Sequence, residues 1–481
     1  MQKLTLIVLS VGGALAVHGQ AWTITGNNNT NPAIHFLGTT SNQPLKFRVN
    51  NVYSGEIDSS TNKTFFGFGA GRATTGVDNM GLGFKAMTAA VSGSRNTAVG
   101  NYALSALSDG WYNTAVGNSA LEANTTGSDN TAVGRNALGS NISGYSNASL
   151  GNSALSHNLA SENTAVGAYS MTYNTTGTTN AAGGTFALYL NNGGSNNVGF
   201  GAYSLYYNFN NNNNTAIGFQ SMFSTRGDQN TGVGSQTLRN NQYGQYNTAL
   251  GYNAIYNTTG SYYNTAIGYR AGANYDMGWN NTILGANCDM NGPGMYNIIA
   301  IGQGVVCTAS SQARIGNSAT NSIGGYANWT NISDVRYKKD IAENVPGLNF
   351  IMKLKPITYH LDITGLSNKL KENNAGDGNE KSRQAIAEKE RVVWTGFSGQ
   401  QVDEAAKEIG YDFSGVDKPK NENDLYGLRY SEFVVPLVKA VQELSKMNDE
   451  KDKLIAQQQQ QISDILKRLQ ALEMRGSISQ K

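Results

Sequence analysis

Between residues 65 and 316 the apolar positions come in short groups that return at a fixed interval. The phrase Asn-Thr-Ala-Val-Gly begins at Asn96, Asn113, Asn130 and Asn163, with Ile or Leu in place of Val at Asn214, Asn264 and Asn247, and NTILG at Asn281. Its closing glycine recurs every 16 or 17 residues from Gly100 to Gly302. A period this strict is the mark of a solenoid, in which each repeat is one coil stacked on the next. The Thr-Ala-Val segment predicts one strand per coil. A second strand is predicted three residues after the glycine, where a small residue precedes a large apolar one, as in Ala103-Leu104, Ala120-Leu121, Ser204-Leu205 and Ala254-Ile255. Phrases such as NTTG at Asn124, Asn174 and Asn257 supply the Asn and Gly that tight turns use.

Stacking such coils places the small residues in one internal column and the leucines in another. The phrase asparagines form an amide ladder that satisfies itself at each step. About fifteen coils at roughly 4.8 Å each make a rod on the order of 70 Å long. A coil this small buries little apolar area, so several chains are expected to share a core.

Beyond residue 433 the pattern changes to steps of three and four: Leu437, Val441, Leu444, Ile455, Ile462, Ile465, Leu469 and Leu472, with Asn448, Lys451 and Gln458 breaking the seam. This is a coiled-coil helix over residues 434–475, with Pro436 in its first turn. The heptads alone leave two and three strands open. At the other end, Lys3 precedes an apolar run over residues 4–17 and then small residues, so residues 1–21 read as a secretory signal peptide. Residues 22–64 form a small β cap, 65–316 the repeat solenoid, 317–332 a linker and 333–433 a separate small α+β domain. The fold class is therefore mainly β.

Composition narrows the function. The chain has 481 residues, 57 of them glycine, and a net charge of +2, with most charged residues after Ser333. No basic stripe is present, which excludes a nucleic-acid partner of the usual kind. The histidines show no metal-ligand spacing, and no cofactor motif occurs. No second long apolar run follows the signal, so the mature chain is expected to lack a transmembrane segment and to be secreted or displayed at a cell surface. Cys288 falls in the small-residue column and Cys307 does not, and a bridge between them is not indicated.

One stretch stands apart chemically: NISDVRYKKDI, beginning at Asn331. A Ser-Asp pair ahead of a charged run reads as a helix N-cap. It also reads as a serine nucleophile with a lysine base, a variant of acyl-transfer chemistry in which burial and neighbouring cations must depress the lysine. Ser333 and Lys338, five apart, do not share a helix face, so this reading requires a non-helical bend.

Two resemblances sharpen these expectations. The asparagine phrase, its glycine and the short coil resemble the head of trimeric autotransporter adhesins over residues 65–316, which implies a β-roll of three chains. Those adhesins end in a membrane β-barrel, whose alternating strands are not seen at this C-terminus. From Ser333 onward, the order SDVRYK, LNFIMKLKPITYHLD, WTGFSGQQVDEAAKEIG and LYGLRYSEFVVPLVKAVQEL resembles the self-cleaving intramolecular chaperone domain of phage endosialidase tail spikes, a serine peptidase family with the motif Ser-Asp-x-Arg-x-Lys. The resemblance implies Ser333 as nucleophile, Lys338 as general base, Asp334 and Arg336 as supporting residues, three strands in the coiled coil, and a single cut beside Ser333 once the trimer has formed. Gly399 stands where the family often has alanine, and residues 369–391 read as an inserted loop or exposed helix.

The function expected is a trimeric, adhesin-like fibre whose partners are its own copies and a host-surface, matrix or glycan ligand. The alternative is a polysaccharide-degrading spike. It needs two carboxylates across a glycosidic bond, and Asp129 and Glu162, two coils or roughly 10 Å apart, are the candidate pair. An ice-binding rod built on the threonine column is a third reading.

Overall fold

The computed structural model describes residue 31 and residues 36–478, apart from 91, 328 and 373–379, so the stretch read as a signal peptide, residues 1–21, lies outside the described residues. An antiparallel pair, β1 (Leu45–Val49) and β2 (Val52–Asp58), leads into β3 (Lys63–Phe66), which is antiparallel to β2 and parallel to the first coil strand, Met80–Leu82. From there three-residue strands add in parallel, one per coil, to Ala313–Ile315, giving an eighteen-stranded sheet with the opening pair included. Register is strict: Thr114, Ala115 and Val116 lie over Thr131, Ala132 and Val133. The middle residue points inward, and Ala98, Ala115 and Ala132 are fully buried.

The second predicted strand is absent from most coils. Ala120 and Leu121 are buried as expected, but the backbone turns left-handed at Ser119 (φ 58°) and Leu121 (φ 50°) and cannot run extended. The turn still bonds to its neighbour, with Leu121 N donating to Ala137 O at 3.0 Å. A non-glycine residue held left-handed costs about 1–2 kcal/mol, and the coil accepts this because the turn drives both side chains into the core. Only near the end do two short strands, Asp289–Met290 and Val306–Cys307, form a second parallel sheet.

The amide ladder forms. Asn130 Nδ2 donates to Gly144 O at 2.8 Å, and its Oδ1 accepts from Asn147 N at 3.1 Å, so each asparagine closes its own coil and bonds the next. A second ladder, which sequence reading did not single out, runs through turn residues, as where Asn191 Nδ2 donates to Asn174 Oδ1 at 2.8 Å. The apolar columns merge into one core from Phe65 to Cys307. A single chain thus encloses its own core, contrary to the expectation that coils alone bury too little. What it leaves exposed is the outward face of the strands. In the coils around Tyr169–Phe223 the outer turns carry rings stacked coil upon coil, with Tyr169 and Phe186 at 5.2 Å and Tyr206 and Phe223 at 5.3 Å between centroids. Cys288 and Cys307 are buried free thiols, and burial pushes both up to about 12.

The C-terminal part has its own core of Phe350, Val402, Ala405, Ala406, Phe413, Val416 and Phe433. Around it lie α1 (Leu348–Ile351), α2 (Ile363–Leu370), α3 (Glu380–Glu390) and α4 (Gly399–Glu408), with a two-stranded pair formed by Ile357–Tyr359 and Trp394–Gly396. Helix α3 lies within the stretch read as an insertion. A long helix, α5 (Val434–Ile478), follows, tied to α1 by Leu348 N donating to Glu443 Oε2 at 2.7 Å. Among the described residues no helix is long and apolar enough to cross a membrane.

Candidate functional site

The motif lies in the exposed chain that joins the solenoid to the C-terminal part. Its order comes from Asp334, whose carboxylate accepts from Arg336 N at 3.0 Å and so caps a single 3-10 turn, Val335–Tyr337. The same carboxylate is gripped by the Arg336 guanidinium, with Nη2 at 2.5 Å. That hydrogen bond holds Asp334 below the usual carboxylate range, so it stays an acceptor. The turn ends at once, because Lys338 is extended (φ −98°, ψ 134°).

One tight turn bracketed by extended residues brings the two ends of the motif together. Lys338 Nζ donates to Ser333 Oγ at 2.8 Å. The N-cap and the Ser–Lys readings are thus compatible, since the cap is Asp334 and Ser333 is left for the lysine. The four motif side chains form two separate pairs, Ser333 with Lys338 and Asp334 with Arg336. Ser333 and Lys338 are both exposed, as are Val335 and Tyr337 on the turn between them.

The other acidic candidates are placed differently. Asp129 and Glu162 occupy equivalent left-handed turn positions (φ 60° and 62°), both exposed, with Ser146 holding the same position in the coil between them.

Two further features were not singled out from the sequence. The first is an exposed apolar row on the outward strand face, including Val116, Leu150, Val166, Phe200, Ile217, Leu250 and Leu284. The period-two alternation inside each three-residue strand was the available signal. The seam of α5 is exposed in the same way, with Val441, Ile455, Ile462, Ile465 and Leu472 all open. The second is a polar contact between the last coils and the C-terminal part, made by Asp424, Asn421, Glu372 and Lys389, which no local motif marks.

Comparison with protein-family models, with curated proteins and with solved structures found no match.

Proposed function

We propose that the chain is a fibre-forming protein of three copies, adhesin-like and exported, whose C-terminal part chaperones assembly and then cuts its own backbone beside Ser333. The observation that carries this reading is the Lys338–Ser333 hydrogen bond of 2.8 Å inside a turn fixed by Asp334 and Arg336. Lys338 takes the hydroxyl proton as Ser333 Oγ attacks an adjacent backbone carbonyl; the peptide C–N bond breaks and the leaving amine takes that proton, and water then hydrolyses the ester to a new C-terminal carboxylate and a free serine hydroxyl.

Exposure of the pair supports a link between assembly and chemistry. A lysine acts as a base only when neutral, and desolvation is the general way to favour that form. The lone chain leaves Lys338 in water. Packing of neighbouring chains around the turn supplies the missing burial, so the cut follows assembly. The exposed strand row and the exposed α5 seam are the surfaces on which the copies meet, with the polar seam residues setting register.

The test is the intact mass of purified chain without residues 1–21, beside Ser333→Ala and Lys338→Met. Two fragments dividing next to Ser333 in the parent, with both variants whole, are expected. A parent that stays full length while assembled and folded overturns the peptidase reading and leaves the domain as an assembly clamp.

A further inference from the structure

The sheet ends at Ala313–Ile315, and among the described residues no strand pairs with its free edge. A bare parallel edge invites mispairing and fraying. The C-terminal part sits against this end. Thr308 Oγ1 meets Asp424 Oδ1 at 2.5 Å, and Asn421 Nδ2 donates to Thr308 O at 2.8 Å. Arg314 spans the junction, donating to Val306 O at 2.7 Å and to Thr308 Oγ1 at 2.9 Å, with Asp424 at 3.9 Å. Farther along, Glu372 accepts from Ser318 N at 3.2 Å and from its hydroxyl, while Lys389 Nζ donates to Ser318 O and Thr320 O, both at 2.6 Å. Lys369 Nζ, reaching Glu422 O at 3.1 Å, joins α2 to the loop that carries Asp424.

Two properties of this contact matter together. It is polar, surrounding a cleft of about 520 Å³, and the apolar cores on its two sides are separate. Every bond across it also joins a residue before Ser333 to a residue after it. The chain carrying Ser333 is therefore looped out between two clamped ends. Asp424 is well placed to hold its part, for the Thr308 hydroxyl, two backbone N–H groups and Arg314 outweigh its burial and keep it below the usual carboxylate range.

We propose that Asp424, Asn421, Glu372 and Lys389 form a detachable polar seat for the open end of the solenoid, which caps the last coils while they fold and retains the C-terminal piece after the backbone is cut. The retention step rests on the cut proposed above; the capping step does not.

Hydrogen exchange in the uncut Ser333→Ala chain tests the cap, with Asp424→Ala and Lys389→Met added separately. Loss of a partly buried charged partner is expected to speed amide exchange over residues 299–320 by roughly tenfold, with coils from 97 to 250 unchanged; that unchanged region also reports that each variant is folded. Exchange over 299–320 within about threefold of the parent in both variants overturns the seat.

Retention is read on the cut parent by gel filtration. The two pieces are expected to co-elute at low salt and separate near 1 M, where screening is about 3 Å, and Asp424→Ala is expected to separate at lower salt. Pieces that part at once at low salt overturn retention. An uncut parent defeats the cleavage reading while the exchange result still decides the cap.

Discussion

Replacing Asn130 with alanine tests whether the amide ladder holds the coils together. The change removes four bonds: Nδ2 to Gly144 O at 2.8 Å, Nδ2 to Asn113 Oδ1 at 3.1 Å, and the two that Oδ1 accepts from Asn147 N and Nδ2, each 3.1 Å. Most of the partners keep a second bond. Gly144 O still accepts from Asn141 Nδ2, Asn113 Oδ1 from Asn130 N, and Asn147 Nδ2 still reaches Ala160 O. The group left without its bond is the buried N–H of Asn147. An orphaned buried donor costs about 1–3 kcal/mol, so the coil should open more easily by about 2 kcal/mol, or roughly 30-fold at 1.36 kcal/mol per decade. Hydrogen exchange at the Asn147 amide reads this directly, because neighbouring coils in a repeat array open locally. Asn118→Ala is the control, an exposed asparagine whose loss should stay within about 0.5 kcal/mol. Asn130→Asp sharpens the test: it keeps the acceptor for Asn147 N but buries a charge and removes both donors, so at neutral pH it should cost more than alanine and recover in acid. If Asn130→Ala leaves exchange at Asn147 within threefold of the parent, or if the aspartate is tolerated at neutral pH, the ladder does not carry the stacking.

Four other outcomes follow from the same structure. Gly134→Ala places a Cβ 2.4 Å from Gly151 O at φ +137°, so the coil must shift; a loss of about 2 kcal/mol or more, seen as faster proteolysis of the rod, is expected, and an unchanged rate contradicts the close stacking. Two buried carboxylates give opposite pH limbs. Burial pushes Asp289 up to about 6, above its unfolded value, so the terminal coils should gain stability as pH falls from 7 towards 5, and Asp289→Asn should abolish that gain in pH-dependent exchange over residues 274–291. Asp403, lowered by hydrogen bonds from Lys407 at 2.7 Å and Lys418 at 2.8 Å, stabilises the C-terminal part above the ordinary carboxylate pKa of about 3.9, a contribution lost as pH falls through its depressed value; Asp403→Asn should flatten this acid limb. If copies meet on α5 as proposed, Ile462→Asp on the exposed seam should reduce the sedimentation mass, and an unchanged mass removes α5 from the proposed contact.

The coil was legible because it repeats single-residue demands. Glycine is needed where a Cβ would strike the next coil's carbonyl, asparagine where one side chain must both donate and accept, and alanine where the strand turns inward. The second strand was misread for a definite reason. An apolar pair such as Ala120-Leu121 announces burial but not backbone hand, and leucine at φ 50° runs against its intrinsic preference. Only the packed coil makes that conformation worthwhile. The expectation that a coil cannot fill itself failed for the same reason, since the left-handed turn folds both side chains inward.

The site divides along a similar line. Spacing carried the motif, because a bend that returns after five residues is what the single turn capped by Asp334 provides. Environment was not in the motif, and the exposure of Ser333 and Lys338 is the consequential part. The Ser333–Lys338 pair is bonded at 2.8 Å but open to water, and the proposed cleavage therefore depends on burial that partner copies would supply. The array would make the proposed cut tolerable. In a stacked solenoid, stability is a sum over coils and their interfaces, so removing the proposed seat would affect the end strand Ala313–Ile315 and leave the interior interfaces intact. Fraying confined to the last coil once the cut piece is stripped off at high salt, with the middle of the rod as protected as before, is what the proposed seat requires; loss of protection along the whole rod on stripping would mean that the C-terminal part holds the fold together throughout.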